Sequence, residues 1–455
     1  MSFVEQLGDA LPAGALVTDP DVLETYRFDR TEWIVPGTPA AAAFPTTTAQ
    51  VAAAVRIAGD HGVAIVPRGA GSSLCGGSAA IDGCLVLSLE RMDRILEIDP
   101  VDQQAVVEPG VINAQLSEAT APHGLFYPPD PASKAFCSIG GNVATNAGGL
   151  CCVKYGVTRD YVLGLEVVLA DGSVIETGRR TIKGVAGLDL TQLLIGSEGT
   201  LGIVTKVRTR LRPAPTGAST MVAVFPTLTS AGDAVAALTT SGLQLSLLEI
   251  VDRATVVAVD DWKRMDLDRD AAALLLAQSD APEPLRGAEV ARTAELCDSA
   301  GASYTAVTDD PDEAEQLLQA RRLAIPALER LGRILLDDIG VPRSRIPELF
   351  ARTEAISAAR DVLIGTFGHA GDGNMHPTIV VPHGDADALV RGRAAFDDLL
   401  EAALDLGGTI TGEHGVGSVK EPFLERELGA GNLDVQRRIK RALDPQGLLN
   451  PGKWL

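Results

Sequence analysis

Two histidines in the stretch GHAGDGNMH, residues 368–376, have a type and a spacing that suit binding of a metal ion or a substrate. The chain has only six histidines among 455 residues, and His369 and His376 lie on either side of Asp372-Gly373. Apolar residues flank this dipeptide, which is typical of a two-residue hairpin turn. In that register His369 faces His376, with Cβ atoms roughly 5 Å apart. The pattern predicts a metal site or a substrate clamp. Two structural histidines bonded to the backbone are the alternative, and a register shift of one residue would separate the pair.

Glycines concentrate in four short stretches of the first half of the chain: PRGAGSSLCGGS (67–78), SIGGNVATNAGG (138–149), KYGVTR (154–159) and IGSEGTLGI (195–203). Exposed backbone amides with little side-chain bulk suit an extended pyrophosphate ligand. Turn formation alone accounts for one such stretch more easily than for four. No predicted strand is followed by GxGxxG at the start of a helix, so a Rossmann site is not supported. The phosphate-loop spacing of residues 447–453 fails because Trp454 replaces the required Ser or Thr.

Alternating strands and helices must position these stretches. Residues 40–44 and 63–66 predict strands, separated by a helix that begins at 46–48 and ends at Gly62. Further strands are predicted at 84–89, 95–107 (two strands), 164–169 and 174–177, with a short helix at 111–123 closed by Gly124. The Pro-rich residues 211–215 are the expected domain boundary.

The second half of the chain also mixes predicted strands and helices. Strands are predicted at 220–225 and 245–251 around a helix at 229–241, and the last helix, 432–443, precedes the polar segment DPQGLLNPGK. We therefore expect an α+β fold in which residues 1–215 form one domain, residues 216–430 a second, and residues 431–455 pack back on the first.

Composition narrows the class of protein. The hydrophobic content of 46% and charged content of 22% are ordinary for a globular chain. A formal charge of −21 argues against nucleic-acid or anionic-membrane binding, which needs clustered Lys and Arg. The sequence shows neither a signal peptide nor an apolar run of membrane-spanning length, so a cytoplasmic protein is expected. Its six cysteines have no paired Cys-x-x-Cys spacing, which argues against zinc-ribbon and iron–sulfur sites.

The glycine stretches, together with PPDPAS at 128–133, closely resemble the FAD domain of the vanillyl-alcohol oxidase/p-cresol methylhydroxylase superfamily. The second half resembles the branch that contains D-lactate dehydrogenases, glycolate oxidase flavin subunits and D-2-hydroxyglutarate dehydrogenases. Its signatures are GHAGDGNMH, GEHGVG at 412–417, and DPQGLLNPGK at 444–453. The resemblance implies a two-part FAD domain followed by a ferredoxin-like α+β substrate domain.

FAD is the cofactor that the resemblance implies. Its pyrophosphate would be held by the first glycine stretch and the rest of FAD by scattered residues, with Asn450 returning to the flavin from the last segment. The residues implied are Arg68, Gly69, Gly71, Ser72, Ser73, Pro129, Asp130, Ser133, Ser138, Gly141, Asn142, Glu198, Gly199, Ile203 and Asn450. Relatives with covalent FAD often carry His where this chain has Ser72, so noncovalent FAD is expected.

The resemblance also assigns a metal and a base. His369, His376 and Glu413 match the ligands of a divalent cation, Zn²⁺ or Mn²⁺, and His414 matches the base that takes the substrate's hydroxyl proton. The adjacent Glu413 and His414 can face one centre only from a loop or bulge, which the neighbouring glycines permit. The alternative for this dipeptide is a solvated acid beside a surface histidine.

Arg321, in QARRLA at 319–324, matches the arginine that binds the substrate carboxylate in this branch. Arg322 is the second candidate, and a solvated helical arginine paired with Glu315 or Glu329 is the alternative. The usual Trp three residues earlier is Leu318 here. Leu335-Leu336, where relatives that take a second carboxylate have a polar group, favours a small monoacid.

These features predict an FAD-dependent dehydrogenase that oxidises a small D-2-hydroxy acid, D-lactate or glycolate, to the 2-oxo acid. D-2-hydroxyglutarate oxidation, a non-redox transfer of the alkyl-glycerone-phosphate type, and a flavin-binding subunit without its own activity are the alternatives. The electron acceptor, whether quinone, cytochrome or iron–sulfur partner subunit, is not readable from the sequence. A homodimer is usual for the family.

Overall fold

The computed structural model describes residues 1–31 and 33–455, and these form two compact units. Unit 1 contains Met1–Gly148, Val157–Ala214 and Glu413–Leu455. Unit 2 contains Gly149–Gly156 and Pro215–Gly412. Unit 1 is thus assembled from three separate segments of the chain.

The strands, in chain order, are β1 Leu16–Val17, β2 Ala41–Ala43, β3 Ile65–Arg68, β4 Leu85–Ser88, β5 Ile95–Asp99, β6 Gln104–Val107, β7 Leu125–Phe126, β8 Val162–Val168, β9 Val174–Glu176, β10 Ile203–Arg210, β11 Arg212–Pro213, β12 Ser219–Phe225, β13 Leu247–Asp252, β14 Ala273–Ser279, β15 Tyr304–Thr308, β16 Arg333–Leu336, β17 Ile339–Gly340, β18 Leu363–His369 and β19 Asn374–Val381.

The α-helices are α1 Phe3–Ala10, α2 Pro20–Arg27, α3 Thr48–His61, α4 Asn113–Thr120, α5 Ile139–Thr145, α6 Cys152–Tyr155, α7 Thr158–Tyr161, α8 Leu190–Leu194, α9 Leu228–Thr240, α10 Arg253–Lys263, α11 Leu285–Ser299, α12 Pro311–Arg322, α13 Ala324–Glu329, α14 Ile346–Arg360, α15 Ala386–Asp405, α16 Leu424–Leu428 and α17 Ala430–Leu443.

The sheets of unit 1 are small and separate. A four-stranded sheet has the order β1-β2-β4-β3, in which β4 runs parallel to both β2 and β3. An antiparallel sheet has the order β5-β6-β10-β8-β9, and β7 pairs with β11. Helix α3 buries Val51 and Val55 in a core that Ile65, Leu85 and Leu449 complete.

Local signals explain where the elements of unit 1 begin and end. Thr47 caps α3 by accepting a hydrogen bond from the Gln50 amide, and Gly62 ends the helix at φ +64°. These limits confirm the predicted helix between the first two strands. Gly124, at φ +66°, likewise ends the predicted helical segment at 111–123, which is α4 followed by one 3₁₀ turn.

Unit 2 is built on one antiparallel sheet in the order β15-β12-β14-β13-β18-β19-β16, with β17 also paired to β19. Helices pack on it, and Val251, Val256, Leu274 and Phe367 belong to one buried cluster. The mixed α+β class predicted from the sequence is confirmed for the chain.

The hairpin of β18 and β19 forms as predicted, but the predicted register is wrong. His369 lies opposite Asn374, while His376 lies opposite Phe367. The connection has four residues rather than two, because the amides of Asp372 and Gly373 both donate to the His369 carbonyl, at 3.1 and 3.0 Å. The pairing shifts the two histidines to diagonal positions on the same face of the sheet.

Among the described residues, no helix combines the length and the apolar content needed to cross a membrane.

Candidate functional site

A buried cluster of charged and aromatic side chains occupies the middle of the sheet in unit 2. Glu249, in the centre of β13, lies opposite His369 of β18 and is fully buried. Its Oε1 lies 2.6 Å from His369 Nδ1, and its Oε2 accepts a 2.7 Å hydrogen bond from Arg321 Nε. Burial at low dielectric makes such charge-assisted contacts strong and their loss costly. Glu249 therefore fixes both side chains at once.

Arg321 is the arginine that the sequence put forward for carboxylate binding. It lies near the end of α12 with 7% of its surface exposed, and its guanidinium carbon is 4.5 Å from the centroid of the Phe367 ring. Exposed Arg322 next to it forms the ion pair with Glu315. The solvated surface pair considered as the alternative thus belongs to Arg322.

The two hairpin histidines lie together in the same cluster. The ring centroids of His369 and His376 are 5.1 Å apart, with an interplanar angle of 86°. Histidines that bind metals commonly donate their second ring N–H to a carboxylate. Glu249 can accept that hydrogen bond from His369 Nδ1. This arrangement suits binding of a cation by the other nitrogen of His369.

Asp338 is a second buried carboxylate, and it faces His376. Its Oδ1 is 3.7 Å from His376 Nδ1. Its Oδ2 accepts hydrogen bonds from the Thr411 hydroxyl at 2.8 Å and from the Gly412 amide at 2.9 Å. We call Glu249, Arg321, Asp338, His369 and His376 the sheet cluster. Glu413 and His414 directly follow Gly412 in the chain.

The sequence reasoning missed Glu249 and Asp338. A signal was present for each: Glu249 interrupts the apolar strand LLEIV, and Asp337-Asp338 follows the apolar ILL of β16 without a turn residue. An acid in the interior of a buried strand requires a partner. Sequence alone did not show which partner it has.

Unit 1 holds every residue that the sequence assigned to FAD. The first glycine stretch follows β3 and approaches the start of α5, where Ser138 caps the helix by accepting from the Gly141 amide at 3.3 Å. A Cβ atom on Gly69 would lie 2.4 Å from Ser138 Oγ, so a larger residue there would displace the hydroxyl that caps α5. Arg68 is partly buried, and burial lowers the pKa of its guanidinium. These residues bring glycine backbone, a hydroxyl and a cation to the end of β3, an edge strand of its sheet.

The other assigned residues have varied environments. Ser73 Oγ accepts from the amides of Cys75 and Gly77, and the Pro129 carbonyl accepts from Asn113 Nδ2 at 3.0 Å.

Ile203 is packed in the hydrophobic core with Ile65 and Leu449. Gly71 and Gly199 have φ of +69° and +72°. The remaining assigned residues are partly buried Ser72, Asp130, Ser133 and Gly141, and buried Asn142.

Asn450 joins the last segment of the chain to the first glycine stretch. Its Nδ2 donates to the carbonyls of Gly77 at 2.9 Å and Glu198 at 2.8 Å, and its amide donates to the Ile65 carbonyl at 2.7 Å. Its Oδ1, like the Ser78 hydroxyl, is buried with no hydrogen-bond partner among the described residues. Buried polar atoms of this kind are normally satisfied. The unsatisfied atoms beside the glycine stretch fit a polar ligand such as FAD.

Glu198 lies between Gly196 and Gly199 in a left-handed conformation, φ +52°. Its carboxylate accepts from the amides of Val416 at 2.7 Å and Gly417 at 2.9 Å. Burial raises the pKa of this carboxyl to about 7, and the two amide hydrogen bonds act in the opposite direction.

The Glu413-His414 dipeptide belongs to a glycine-rich loop of unit 1. Glu413 Oε1 and His414 Nε2 are 4.0 Å apart, and both side chains are partly exposed. The Cys75 thiol donates to the His414 carbonyl at 3.3 Å, and burial raises the pKa of that thiol. An exposed surface pair is therefore not what the structure shows. The loop is packed against the first glycine stretch.

Comparison with solved structures shows the class of fold. p-Cresol methylhydroxylase with substrate bound superposes with a TM-score of 0.82 at 20% identity, covering 99% of this chain and 96% of that one. Alkyldihydroxyacetonephosphate synthase gives 0.76 at 17% identity and covers 99% and 84%. The chain thus shares the fold of these two proteins.

Sequence comparisons identify the family. Residues 39–178 match the "FAD binding domain" family, and residues 214–454 match "FAD linked oxidases, C-terminal domain". The glycolate oxidase subunit GlcD of Bacillus subtilis (strain 168) is 41% identical over 97% of this chain and 92% of its own length. A D-lactate dehydrogenase of Anaerostipes hadrus is 32% identical over 99% and 96%. The chain belongs to the FAD-linked oxidases and is an FAD-dependent oxidoreductase.

Proposed function

We propose that this protein oxidises a small D-2-hydroxy acid, D-lactate or glycolate, to the corresponding 2-oxo acid. The observation that carries the proposal is the chain of contacts from Arg321 through Glu249 to His369, with His376 beside it. An arginine beside two imidazoles would suit a substrate with adjacent carboxylate and hydroxyl groups, if the arginine binds the carboxylate and the imidazoles hold a metal ion. Relatives named glycolate oxidase subunit and D-lactate dehydrogenase support the same substrate class.

Arg321 is assigned to the substrate carboxylate. Nε of the guanidinium donates to Glu249, which orients the guanidinium plane. We assign the two terminal amino groups to the oxygens of the substrate carboxylate. Leu336 packs in the same hydrophobic cluster as Phe367, the ring beside Arg321. An apolar wall at this place offers nothing to a second carboxylate and favours a monoacid over D-2-hydroxyglutarate.

His369, His376 and Glu413 are proposed to hold a divalent cation, Zn²⁺ or Mn²⁺, with Asp338 orienting His376 through its 3.7 Å contact. Two imidazoles and a carboxylate are a donor set that fits either metal. Such a cation would lower the pKa of the substrate hydroxyl.

His414 is proposed to accept the hydroxyl proton. A neutral imidazole is suited to this at physiological pH, and its loop is fixed from behind by Cys75 and Glu198. Bound FAD supplies the acceptor for the two electrons that leave with the Cα hydrogen. Arg68, Ser138, Asn450 and the glycines of unit 1 are the groups proposed to hold it, without a covalent bond.

The first experiment follows the flavin absorbance of the purified protein anaerobically. D-lactate, L-lactate, glycolate and D-2-hydroxyglutarate are added in turn, before and after treatment with a chelator. We expect bleaching by D-lactate or glycolate that the chelator abolishes. His414→Ala should keep FAD but slow bleaching about 100-fold or more, leaving a measurable rate, whereas His383→Ala, at an exposed position, should behave as the unaltered protein. FAD-loaded protein that none of the four acids bleaches would refute the proposed reaction.

An electron-accepting partner is a second part of the proposal. The 41% identical GlcD relative is named as a subunit, which indicates a larger assembly for that protein. We infer that the reduced flavin of this chain passes its electrons to a separate acceptor, a quinone, a cytochrome or an iron–sulfur subunit. Bleaching by substrate followed by fast reoxidation in air would instead indicate an oxidase that needs no partner.

A further inference from the structure

Glu198 is one of the most deeply buried acids of unit 1, and its carboxylate has partners that the FAD assignment does not explain. Only 6% of the residue is exposed. Both carboxylate oxygens accept backbone amides, Oε1 from Val416 at 2.7 Å and Oε2 from Gly417 at 2.9 Å. Burying an acid this deeply is expensive, and charge-assisted hydrogen bonds to two amides offset part of that cost.

The backbone around Glu198 is arranged to present this carboxylate. The residue has φ +52°, an uncommon conformation for a side chain of this size, and its amide donates to the Ala144 carbonyl of α5 at 2.8 Å. Its own carbonyl accepts from Asn450 Nδ2 at 2.8 Å. The turn is thus held from two sides, which sustains the strained conformation.

The loop that receives the carboxylate is shaped to fit it. Gly415 has φ +93°, and a Cβ atom there would lie 2.8 Å from Glu198 Oε1. A Cβ on Gly417 would lie 2.0 Å from the Cys75 carbonyl, which accepts from the Ser418 amide at 3.1 Å. The Cys75 thiol donates to the His414 carbonyl. Glu198 and Cys75 therefore restrain the backbone on the C-terminal side of His414.

From this geometry we infer that Glu198 is a positioning residue for His414: its carboxylate holds the amides of Val416 and Gly417 and so fixes the loop that carries the base. Glu198 then acts on the reaction through the loop and need not touch substrate. The inference rests on the proposed function for the role of His414, but the restraint of the loop is independent of it.

The test compares Glu198→Gln with Glu176→Gln, a matched change at an exposed position of β9 in the same unit. A Gln side chain has one acceptor oxygen, and its amino group would face the second backbone N–H. Hydrogen exchange of peptides that cover residues 413–420 is measured first. We expect faster exchange at Val416 and Gly417 in Glu198→Gln alone, whether FAD is bound or has been removed from both proteins.

Single-turnover bleaching by the substrate is measured next. Glu198→Gln should slow the reduction step about tenfold or more, the factor that loss of one charge-assisted hydrogen bond implies, with little change in the substrate concentration that half-saturates it. In a double-mutant cycle, the Glu198→Gln change should cost much less when His414 is already Ala. A purely structural role would lower stability without this coupling.

The outcomes separate the two proposals. Unchanged exchange at Val416 and Gly417 in Glu198→Gln overturns the inference, and so does loss of FAD without any change in that exchange. Full additivity with His414→Ala also contradicts it. If His414→Ala bleaches at the normal rate while Glu198→Gln still frees the loop, the restraint stands and the assignment of His414 as the base fails.

Discussion

At the residue scale, Glu249 connects two groups that the sequence treated separately. It is fully buried, and its two oxygens contact His369 and Arg321. We expect Glu249→Gln to reduce kcat/KM about 10- to 100-fold, because partners of this kind orient both metal ligands and substrate-binding groups. Steady-state kinetics with D-lactate and glycolate, and metal analysis of the purified variant, measure the effect.

Glu315→Gln is the matched control, because Glu315 pairs with exposed Arg322, the neighbour of Arg321. Surface pairs of this kind contribute little, so its kinetics should be unchanged. Equal kinetics for the two variants would show that Glu249 has no part in the site.

These residues also show what the sequence could and could not predict. Arg321, His414 and the hairpin histidines were put forward from short motifs that resemble those of a known family, and their roles stay predictions. Glu249 lies 72 positions from Arg321 and 120 from His369, so only the pairing of β13 with β18 brings them together. Asp338 likewise depends on the position of β17 beside β19.

At the element scale, the hairpin loop shows why the register prediction was wrong. Asp372-Gly373 suggested a two-residue turn with positive φ at both positions, but only Gly373 has it, at +80°. The loop is held by contacts outside the hairpin: the Gly371 amide donates to the Leu248 carbonyl, and the Val341 amide donates to the Gly373 carbonyl. Such tertiary contacts select the longer turn, and local turn preference does not include them.

Gly373→Ala should destabilise unit 2 more than Gly384→Ala. Both glycines have left-handed φ, +80° and +79°, so both variants carry the backbone cost of about 1–2 kcal/mol. A Cβ on Gly373 would also lie 2.1 Å from the Val341 carbonyl oxygen, whereas nothing lies within 4 Å of one on Gly384. Thermal melts of the two variants compare them directly. Equal shifts in Tm would show that the loop around Gly373 accommodates the Cβ atom without further loss of stability.

Asp252 gives a pH-dependent contribution to the same unit. It caps α10 through the Thr255 amide and accepts the Thr366 amide of β18, and burial raises its pKa to about 6. A carboxyl whose pKa rises on folding binds its proton more tightly in the folded state. The stability that Asp252 contributes is fully present below about pH 4, the ordinary pKa of an aspartic acid. It is lost as the pH rises through 6.

We therefore expect the Tm of the unaltered protein, relative to that of Asp252→Asn, to fall between about pH 4.5 and pH 7.5. Asn is also a good cap, so the variant keeps α10. Asp310→Asn, at the solvent-exposed cap of α12, is the control. It measures how Tm changes over the same pH range when an exposed cap loses its carboxyl. If the Tm of the unaltered protein, relative to that of Asp252→Asn, instead rises with pH, the carboxyl of Asp252 does not bind its proton more tightly on folding.

At the scale of the whole molecule, the net charge of −21 opposes an anionic substrate. Long-range repulsion extends over a Debye length of about 30 Å at 0.01 M ionic strength and about 8 Å at 0.15 M. We expect kcat/KM for D-lactate or glycolate to rise several-fold over this range, while the rate with saturating substrate stays constant. Two different salts at equal ionic strength control for specific ion binding. A fall in kcat/KM with salt would mean that the local field of Arg321 outweighs the total charge.

The three-segment construction of unit 1 has a consequence for how the protein is made. The Ile65 amide donates to the Leu448 carbonyl and the Ile65 carbonyl accepts from the Asn450 amide, so the strand that precedes the first glycine stretch is completed by residues far along the sequence. Contacts between residues so far apart in the sequence form late in folding. During synthesis, β3 cannot be completed until residues 448–450 have been added to the chain. A chain that ends before Asn450 lacks a hydrogen bond that completes this strand. We therefore expect a chain that ends before Asn450 to retain FAD poorly.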